Sequence, residues 1–270
     1  MTETGAVGAA GTMTTMSTIP STDGRPRVQP PARAEKAAER VARALLESMA
    51  EFNLEAGDSL PHETLMIEQQ GVGRATLREA LRLLEVNGLI TIRPGPRGGP
   101  VVGDVSSQNF GRMATMYFQR QRATLGELLE ARLSIEPLMA RMAAEREDKS
   151  SFEELHRALA AARELAPDDP SYGRVMRMFH DAMNRLSGNP ILDLFANALA
   201  DVYLSRVSGA LYDTGQERAR IMSVHEDIAK AVLAGDGKKA ERLTRSHMAE
   251  FADSAAQRYP GLMNEVITWA

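Results

Sequence analysis

Apolar residues recur at helical spacing along most of this chain, and one hairpin pattern interrupts them. Residues 60–87 have the pattern of two helices separated by a tight turn at Gly71, a residue type that readily adopts the left-handed exit from a helix. Residues 89–93 are rich in β-branched side chains, residues 94–99 in proline and glycine, and residues 101–102 can return as a partner strand. The order helix, turn, helix, hairpin predicts a winged helix-turn-helix domain.

The second of these helices has two distinct faces. Leucine and alanine occupy positions i, i+3, i+4 and i+7 on one face, and Arg74, Arg78 and Arg82 recur every fourth residue on another. In a winged helix-turn-helix the second helix enters the major groove of DNA. A guanidinium can donate two hydrogen bonds to guanine there, worth about 1–3 kcal/mol of discrimination. The arginines therefore predict DNA contacts; the alternative is that they are only solvated surface charges.

After residue 110 the chain shows repeated helical periodicity and no convincing strand. Breaks rich in glycine, proline, aspartate or asparagine delimit seven predicted helices, near residues 110–122, 125–146, 150–165, 170–187, 190–212, 215–235 and 237–259. This pattern predicts an antiparallel bundle, and bundles commonly bind ligands between facing helices. The predicted fold class is mainly α, with an N-terminal winged helix-turn-helix followed by an all-α antiparallel helical bundle.

The predicted organisation has five segments. The N-terminal segment is mostly glycine, alanine, threonine, serine and proline, so it cannot offset its ordering entropy by burial. The segments are a disordered tail at 1–32, the winged helix-turn-helix domain at 33–102, a polar linker at 103–109, the helical bundle at 110–260 and a tail at 261–270.

The composition narrows the class of protein. The chain has no cysteine, which excludes disulfides, thiolate metal sites and cysteine nucleophiles and suits a reducing compartment. It has no apolar run of bilayer length and no basic region before its N-terminal small residues, so we expect a cytoplasmic protein without a membrane partner. The formal net charge of −4 is unusual for a DNA-binding protein, but residues 71–99 hold five arginines against two glutamates, a local charge of +3.

Residues 57–90 contain G-D-S-L-P-x-E and then G-V-x-R-x-T-L-R-E-A-L-R-x-L-E-x-x-G-L-I. This run resembles the DNA-binding domain of the GntR family of bacterial transcription regulators. The resemblance implies that Arg74 and Arg78 touch bases and phosphates, that Thr76 adds a contact, and that Gly95 in the wing lies at the minor groove. One departure is Thr64, where many members have arginine. The predicted DNA-binding residues are Arg74, Thr76, Arg78, Arg82, Gly95 and Arg97.

Four bundle segments, at 125–146, 179–192, 225–240 and 246–248, resemble the FCD ligand-binding domain that defines the FadR-like branch of this family. Many FCD domains hold a divalent metal on one aspartate and three histidines. The resemblance places the histidines at His180, His225 and His247, and the aspartate position holds Met176, whose thioether is a poor ligand for Zn or Mn. Either the three histidines hold Zn, Ni or Mn with an open fourth position, or the site has lost its metal and binds an effector through hydrogen bonds and positive charge.

Arg132 and Glu136 share one helix face at i, i+4. In the FCD pattern this arginine lies near the ligand cavity, where its forked donors can bind a carboxylate. The alternative is an intrahelical salt bridge worth about 0.3–0.5 kcal/mol. The predicted effector pocket consists of Arg132, Met176, His180, His225 and His247.

Together these features predict a ligand-responsive transcription regulator. We expect a repressor that binds a short palindromic double-stranded operator as a homodimer and takes a small carboxylate or acyl effector in its bundle. The alternative is a metal-dependent enzyme that activates water on the three histidines. Against the enzyme, the chain has no clearly placed general base, no glycine-rich phosphate loop and no nucleophile motif, and we expect no catalytic residues. A structural DNA-bending protein is disfavoured by the negative net charge.

Overall fold

The structure is a computed structural model. The described residues are 36–95, 98–104, 106–146, 152–165, 169, 171–206 and 215–269. The predicted tail at 1–32 and Arg97 lie outside them. Among the described residues, no helix combines the length and apolar character needed to cross a membrane.

The N-terminal part contains the predicted winged helix-turn-helix. Its elements are α1 (Ala37–Glu51), α2 (Glu63–Gln70), α3 (Arg74–Val86), β1 (Ile90–Arg93) and β2 (Gly99–Val102). The turn between α2 and α3 begins at Gly71, whose φ of 60° is left-handed, as glycine permits at a helix end. The apolar face of α3 is fully buried against α1 and α2, which confirms the predicted helix face.

The wing is an antiparallel pair with Ile90 opposite Val102 and Arg93 opposite Gly99. A third segment, which the sequence pattern does not signal, adds to its edge. Ser59 forms a bridge with Val101, and a backbone hydrogen bond joins the following residue to the same strand. The segment that leads from α1 into α2 is therefore paired with the wing.

The C-terminal part is the predicted helical bundle. Its helices are α4 (Ser107–Gln121), α5 (Leu125–Glu145), α6 (Phe152–Arg163), α7 (Tyr172–Leu186), α8 (Pro190–Arg206), α9 (Gly215–Leu233) and α10 (Gly237–Arg258). The predicted linker at 103–109 is half helical, because α4 begins at Ser107 with the Ser106 hydroxyl accepting a hydrogen bond from a first-turn amide. The part of α8 predicted beyond residue 206 lies outside the described residues.

Helix α5 lies at the centre of the bundle and packs against α7, α8, α9 and α10. A capping box formed by Thr124 and Glu127 begins it. Pro137 in its interior cannot donate to the carbonyl four residues earlier. That carbonyl, on Leu133, instead accepts a hydrogen bond of 3.4 Å from Arg245 on α10.

The C-terminal segment after α10 is docked against the bundle. A 3₁₀ turn at Leu262–Asn264 is followed by backbone hydrogen bonds from Leu125 to Glu265 (3.0 Å) and from Ile267 to Ala123 (2.8 Å). The Ile267 side chain is buried. The sequence pattern predicts only a tail here, because the partner strand segment lies some 140 residues earlier in the chain.

Candidate functional site

The arginine row of α3 is presented to solvent. Arg74, Arg78 and Arg82 are all exposed, and Arg74 begins the helix directly after the turn from α2. Nε of Arg78 lies 3.7 Å from a carboxylate oxygen of Glu63 on α2, and both side chains are well exposed. An exposed pair of this kind contributes about 0–1 kcal/mol, so it leaves Arg78 able to bind a stronger anion such as phosphate.

The other predicted DNA contacts lie close to this helix or in the wing. Thr76 is half-buried in the first turn of α3. Gly95 is exposed at the wing turn with a φ of 109°, a conformation that a residue with a side chain rarely adopts. Arg97 is outside the described residues, so the structure gives no position for its side chain.

The three predicted histidines come together inside the bundle. His180 lies on α7, His225 on α9 and His247 on α10, and one nitrogen from each lies within 4.8 Å of the other two. Nε2 of His225 and Nε2 of His247 are 3.1 Å apart. His225 also stacks on the ring of Phe179, with centroids 4.0 Å apart and planes 9° from parallel.

The local environment keeps two of these rings neutral. Burial lowers the pKa of His225 well below 6.5, and the charges of the other two histidines lower it further. Burial, followed by the charge of His180, lowers the pKa of His247 to about 3. At neutral pH both rings therefore have an unprotonated nitrogen, which is the form that binds a metal or accepts a hydrogen bond.

A buried ion pair on α5 faces the histidines. Nε of Arg132 donates to Oε1 of Glu136 at 2.6 Å, and Oε2 of Glu136 lies 3.3 Å from Nδ1 of His180. Burial alone would raise the pKa of Glu136, but the positive charge of Arg132 and the hydrogen bond from His180 lower it to about 2. Glu136 is thus an ionised carboxylate shared between two cationic or donor groups.

Four of the five predicted pocket residues line one small cavity. Arg132, Met176, His180 and His247 contribute to its wall, and its volume is ≈ 30 Å³. His225 is fully buried beside His247. Among the described residues, the only hydrogen bond from Arg132 is the one that Nε donates, so its terminal nitrogens can donate to a ligand. The two interpretations of Arg132 are therefore compatible: it forms the intrahelical pair and lines the cavity.

Comparison with known proteins identifies both parts of the chain. Residues 37–98 match the gntR family of bacterial regulatory proteins, and residues 127–250 match the FCD domain. An uncharacterised HTH-type transcriptional regulator of Mycobacterium tuberculosis is 34% identical over 229 residues, which are 82% of this chain and 89% of that protein. This chain is a GntR-family transcription regulator with an FCD domain.

Further relatives agree with the family assignment. The HTH-type transcriptional regulator LutR of Bacillus subtilis is 25% identical over 204 residues, covering 74% of this chain and 92% of LutR. The solved structure of Streptococcus agalactiae GntR has the same fold, with a TM-score of 0.64 at 24% identity over 81% of this chain and 100% of that one. The families and relatives are regulators of transcription, so the alternative that this GntR-family chain is an enzyme is wrong.

Three histidines of this GntR regulator lie close enough to be candidate metal ligands, and one pair of them has the spacing of a zinc site. Zinc–nitrogen bonds of about 2.0–2.1 Å in a tetrahedral site put ligand nitrogens roughly 3.3 Å apart, close to the 3.1 Å between His225 and His247. Glu136 gives His180 the carboxylate partner that metal-bound histidines usually have. The position of the fourth family ligand is Met176, which supplies no oxygen. Three histidines could hold a metal here, with the fourth position open.

Two residues at this site are not signalled by the sequence pattern. Tyr203 on α8 lines the cavity and lies under the Arg132 guanidinium, 5.7 Å from its ring centroid. Within the described part of the chain its hydroxyl has no hydrogen-bond partner, and burial raises its pKa to about 12. Phe179 is the ring on which His225 stacks. Both fit an apolar helix face, so periodicity alone predicts only core roles for them.

Proposed function

We propose that this GntR regulator is a repressor that binds a short palindromic operator as a homodimer and responds to a small carboxylate or acyl effector in the bundle. The observation that carries the proposal is the buried Arg132, which lines the same cavity as His180 and His247. A buried guanidinium beside a cavity is suited to hold a carboxylate through two parallel hydrogen bonds.

The size of the cavity favours a short acid over a long acyl chain. Pockets for drug-sized ligands are about 300–1,000 Å³, whereas this cavity is ≈ 30 Å³. A molecule of a few carbons needs only small movements of the surrounding side chains. A fatty acyl chain would have to displace much more of the wall, in which Met176 and Tyr203 are buried.

A metal held by His180, His225 and His247 would also bind the anionic group of the effector. When bound, it supplies a positive charge and an open coordination position for an anionic oxygen. Two of the three rings are already neutral, because burial lowers their pKa. The protein's own contribution is to orient His180 through Glu136 and to hold the anion against Arg132.

For the DNA-binding half, the proposed contacts are the exposed arginines of α3 together with Thr76, Gly95 and Arg97. One recognition helix reads too few base pairs for a unique site. A dimer with two-fold symmetry binds an operator that has the same two-fold symmetry. We therefore place the functional boundary near residues 103–109, between a DNA-binding half and a half that binds the effector and dimerises.

A titration of the full chain on the DNA upstream of its own gene tests this proposal. Fluorescence anisotropy should give binding at least 100-fold tighter than to a scrambled duplex of equal length at moderate salt, because specific affinities exceed nonspecific ones by about 10³-fold or more. Footprinting should show two protected half-sites, and sedimentation should give two chains per duplex. Equal affinity for both duplexes, or a single chain on the specific one, contradicts it.

A further inference from the structure

The hydroxyl of Tyr203 on α8 is a buried polar group without a partner. The residue is fully buried, and among the described residues no group forms a hydrogen bond with its hydroxyl oxygen. A buried hydroxyl that loses its bonds to water and gains none in the protein destabilises the fold. Such groups are rare in folded proteins, so this one requires an explanation, and a ligand is one that fits its position.

Tyr203 belongs to the wall of the effector cavity. The same wall contains Arg132, whose Cζ lies 5.7 Å from the centroid of the Tyr203 ring. Phe251, a third residue of the wall, packs against this ring with its centroid 5.5 Å away and its plane at 62°. The cavity is ≈ 30 Å³, so a ligand bound in it lies close to both the arginine and the tyrosine.

The environment keeps the Tyr203 hydroxyl protonated. Burial raises its pKa to about 12, although the positive charge of Arg132 acts in the opposite direction. At neutral pH the phenol therefore carries its proton, and it can donate one hydrogen bond and also accept one. An acid held by Arg132 thus has a second, neutral group beside it that can bind a further oxygen atom.

The other arginine of the wall is already engaged by the protein. The Arg177 guanidinium binds Asp181 in its own helix, and its Nη1 lies 3.1 Å from Oδ1 of Asp201 on α8. Two carboxylates therefore balance its charge, which weakens its attraction for a third. Apart from the histidines, Arg132 and Tyr203 remain as the groups suited to recognise a small anion here.

We propose that Tyr203 determines which short acids the cavity accepts. Arg132 binds the carboxylate, and the Tyr203 hydroxyl forms a hydrogen bond with an oxygen on the adjacent carbon, so 2-hydroxy or 2-oxo acids are preferred over unsubstituted acids. This inference rests on the proposed function and adds the chemical class of its effector. A site with a buried hydrogen-bonding group discriminates strongly against a ligand that leaves the group unpaired.

Calorimetric titration of the full chain with propionate, L-lactate and pyruvate tests this role, because these acids have the same length and differ only at the second carbon. We expect L-lactate or pyruvate to bind at least about tenfold more tightly than propionate. In Tyr203→Phe, which removes only the hydroxyl, this ratio should fall below about twofold while propionate binds as before. A bound metal would favour the oxygen-bearing acids in both chains, so comparing the two chains isolates the hydroxyl.

Thermal unfolding without any acid supplies a second measurement. Tyr203→Phe should unfold at the same temperature as the unaltered chain or higher, because it removes a buried group that has no partner. The matched control is Tyr172→Phe on α7. Tyr172 is also buried with an arginine over its ring, but its hydroxyl donates to the backbone oxygen of Arg218 at 3.1 Å. Its loss should lower Tm by roughly 2–4 °C and leave the ratio of affinities unchanged.

The outcomes separate this inference from the proposed function. A ratio that persists in Tyr203→Phe overturns the role of Tyr203, and so does a loss of stability in Tyr203→Phe equal to that in Tyr172→Phe. If the unaltered chain binds all three acids equally, the short-acid effector stands and only the role of Tyr203 is wrong. If it binds none of them, the proposed short-acid effector is wrong, and this inference is wrong with it.

Discussion

Oε2 of Glu136 lies 3.3 Å from Nδ1 of His180, so a buried carboxylate on α5 orients an imidazole on α7. A proton on Nδ1 satisfies the carboxylate and leaves Nε2 of His180 unprotonated, the tautomer that can bind a metal. The second oxygen of Glu136 is held by Arg132. One ionised group thereby sets the orientation of both the candidate metal ligand and the candidate effector-binding arginine.

The buried pair of Arg132 and Glu136 should be costly to break. We expect Arg132→Gln to lower the free energy of unfolding by about 3–5 kcal/mol, because it leaves a buried carboxylate without its cation. Arg141 and Glu145 form a matched control on the same helix, with the same spacing and about half of each side chain exposed. Arg141→Gln should leave the urea unfolding transition nearly unchanged, because solvent screens an exposed pair. Equal losses for the two variants would contradict the role assigned to Glu136.

Restoring the fourth family ligand should strengthen metal binding. Met176 lies four residues before His180 on α7, on the same helix face, so an aspartate there can reach the histidine cluster. We expect Met176→Asp to tighten Zn²⁺ or Mn²⁺ binding in calorimetry at least tenfold. Met176→Leu, which adds no ligand atom, should bind metal as the unaltered chain does. An unchanged affinity in the aspartate variant means that residue 176 does not face the three nitrogens.

The stability of the metal-free protein should decrease in mild acid. The pKa of His225 is lowered by burial and neighbouring histidines, and that of His247 is lowered to about 3, from an ordinary 6.5. The unfolded chain therefore binds protons below pH 6.5 that the folded chain does not. The contribution of the two rings to the free energy of unfolding is fully present above about pH 6.5. It falls by up to roughly 1.4 kcal/mol per pH unit for each ring as the pH drops.

Urea unfolding in the presence of a chelator at pH 7.5, 6.5 and 5.5 measures this effect. The variant His247→Gln should lose about half of the slope between pH 6.5 and 5.5, since one titrating ring is gone. A stability that is constant or rises over this range shows that the rings are protonated in the folded state.

Substitutions should distinguish the arginines of α3 that contact DNA from exposed arginines elsewhere in the protein. Arg74→Ala and Arg78→Ala should each weaken operator binding by about 1–3 kcal/mol and reduce its salt dependence. Glu63→Gln should tighten binding, because it releases Arg78 from its carboxylate partner and removes a negative charge near DNA. Arg157→Ala, an exposed arginine on α6, should leave the operator affinity unchanged in anisotropy titrations.

The helices and the wing could be predicted because their determinants are local. The buried face of α3, the left-handed Gly71 and the Asn189 side chain that accepts hydrogen bonds from the first turn of α8 are all readable within a few residues. The predicted face of α3, the turn at Gly71 and the start of α8 near residue 190 are confirmed. The N-terminal tail at 1–32 lies outside the described residues and stays a prediction.

Features that depend on distant contacts could not be predicted. The pairing of Thr124 with Val266 joins segments about 140 residues apart in the chain. The Asp201 carboxylate accepts a hydrogen bond from the Ser107 hydroxyl, 94 residues earlier in the chain. The meeting of the three histidines came from resemblance to a family, because periodicity places each on an apolar face without saying which faces touch. The spacing of Arg132 and Glu136 allowed an ion pair as one of two interpretations, but the burial of that pair beside His180 appears only in three dimensions.

The central claim is that occupation of the bundle cavity changes the affinity for DNA. Its most direct test is an operator titration of the full chain with and without millimolar acetate, L-lactate and citrate, with Zn²⁺ present or removed. We predict that at least one acid changes the operator Kd fivefold or more, and that Arg132→Lys, which keeps the charge but loses the forked donors, removes the change. If no acid alters the Kd, or if the change persists in that variant, the account of this site is contradicted.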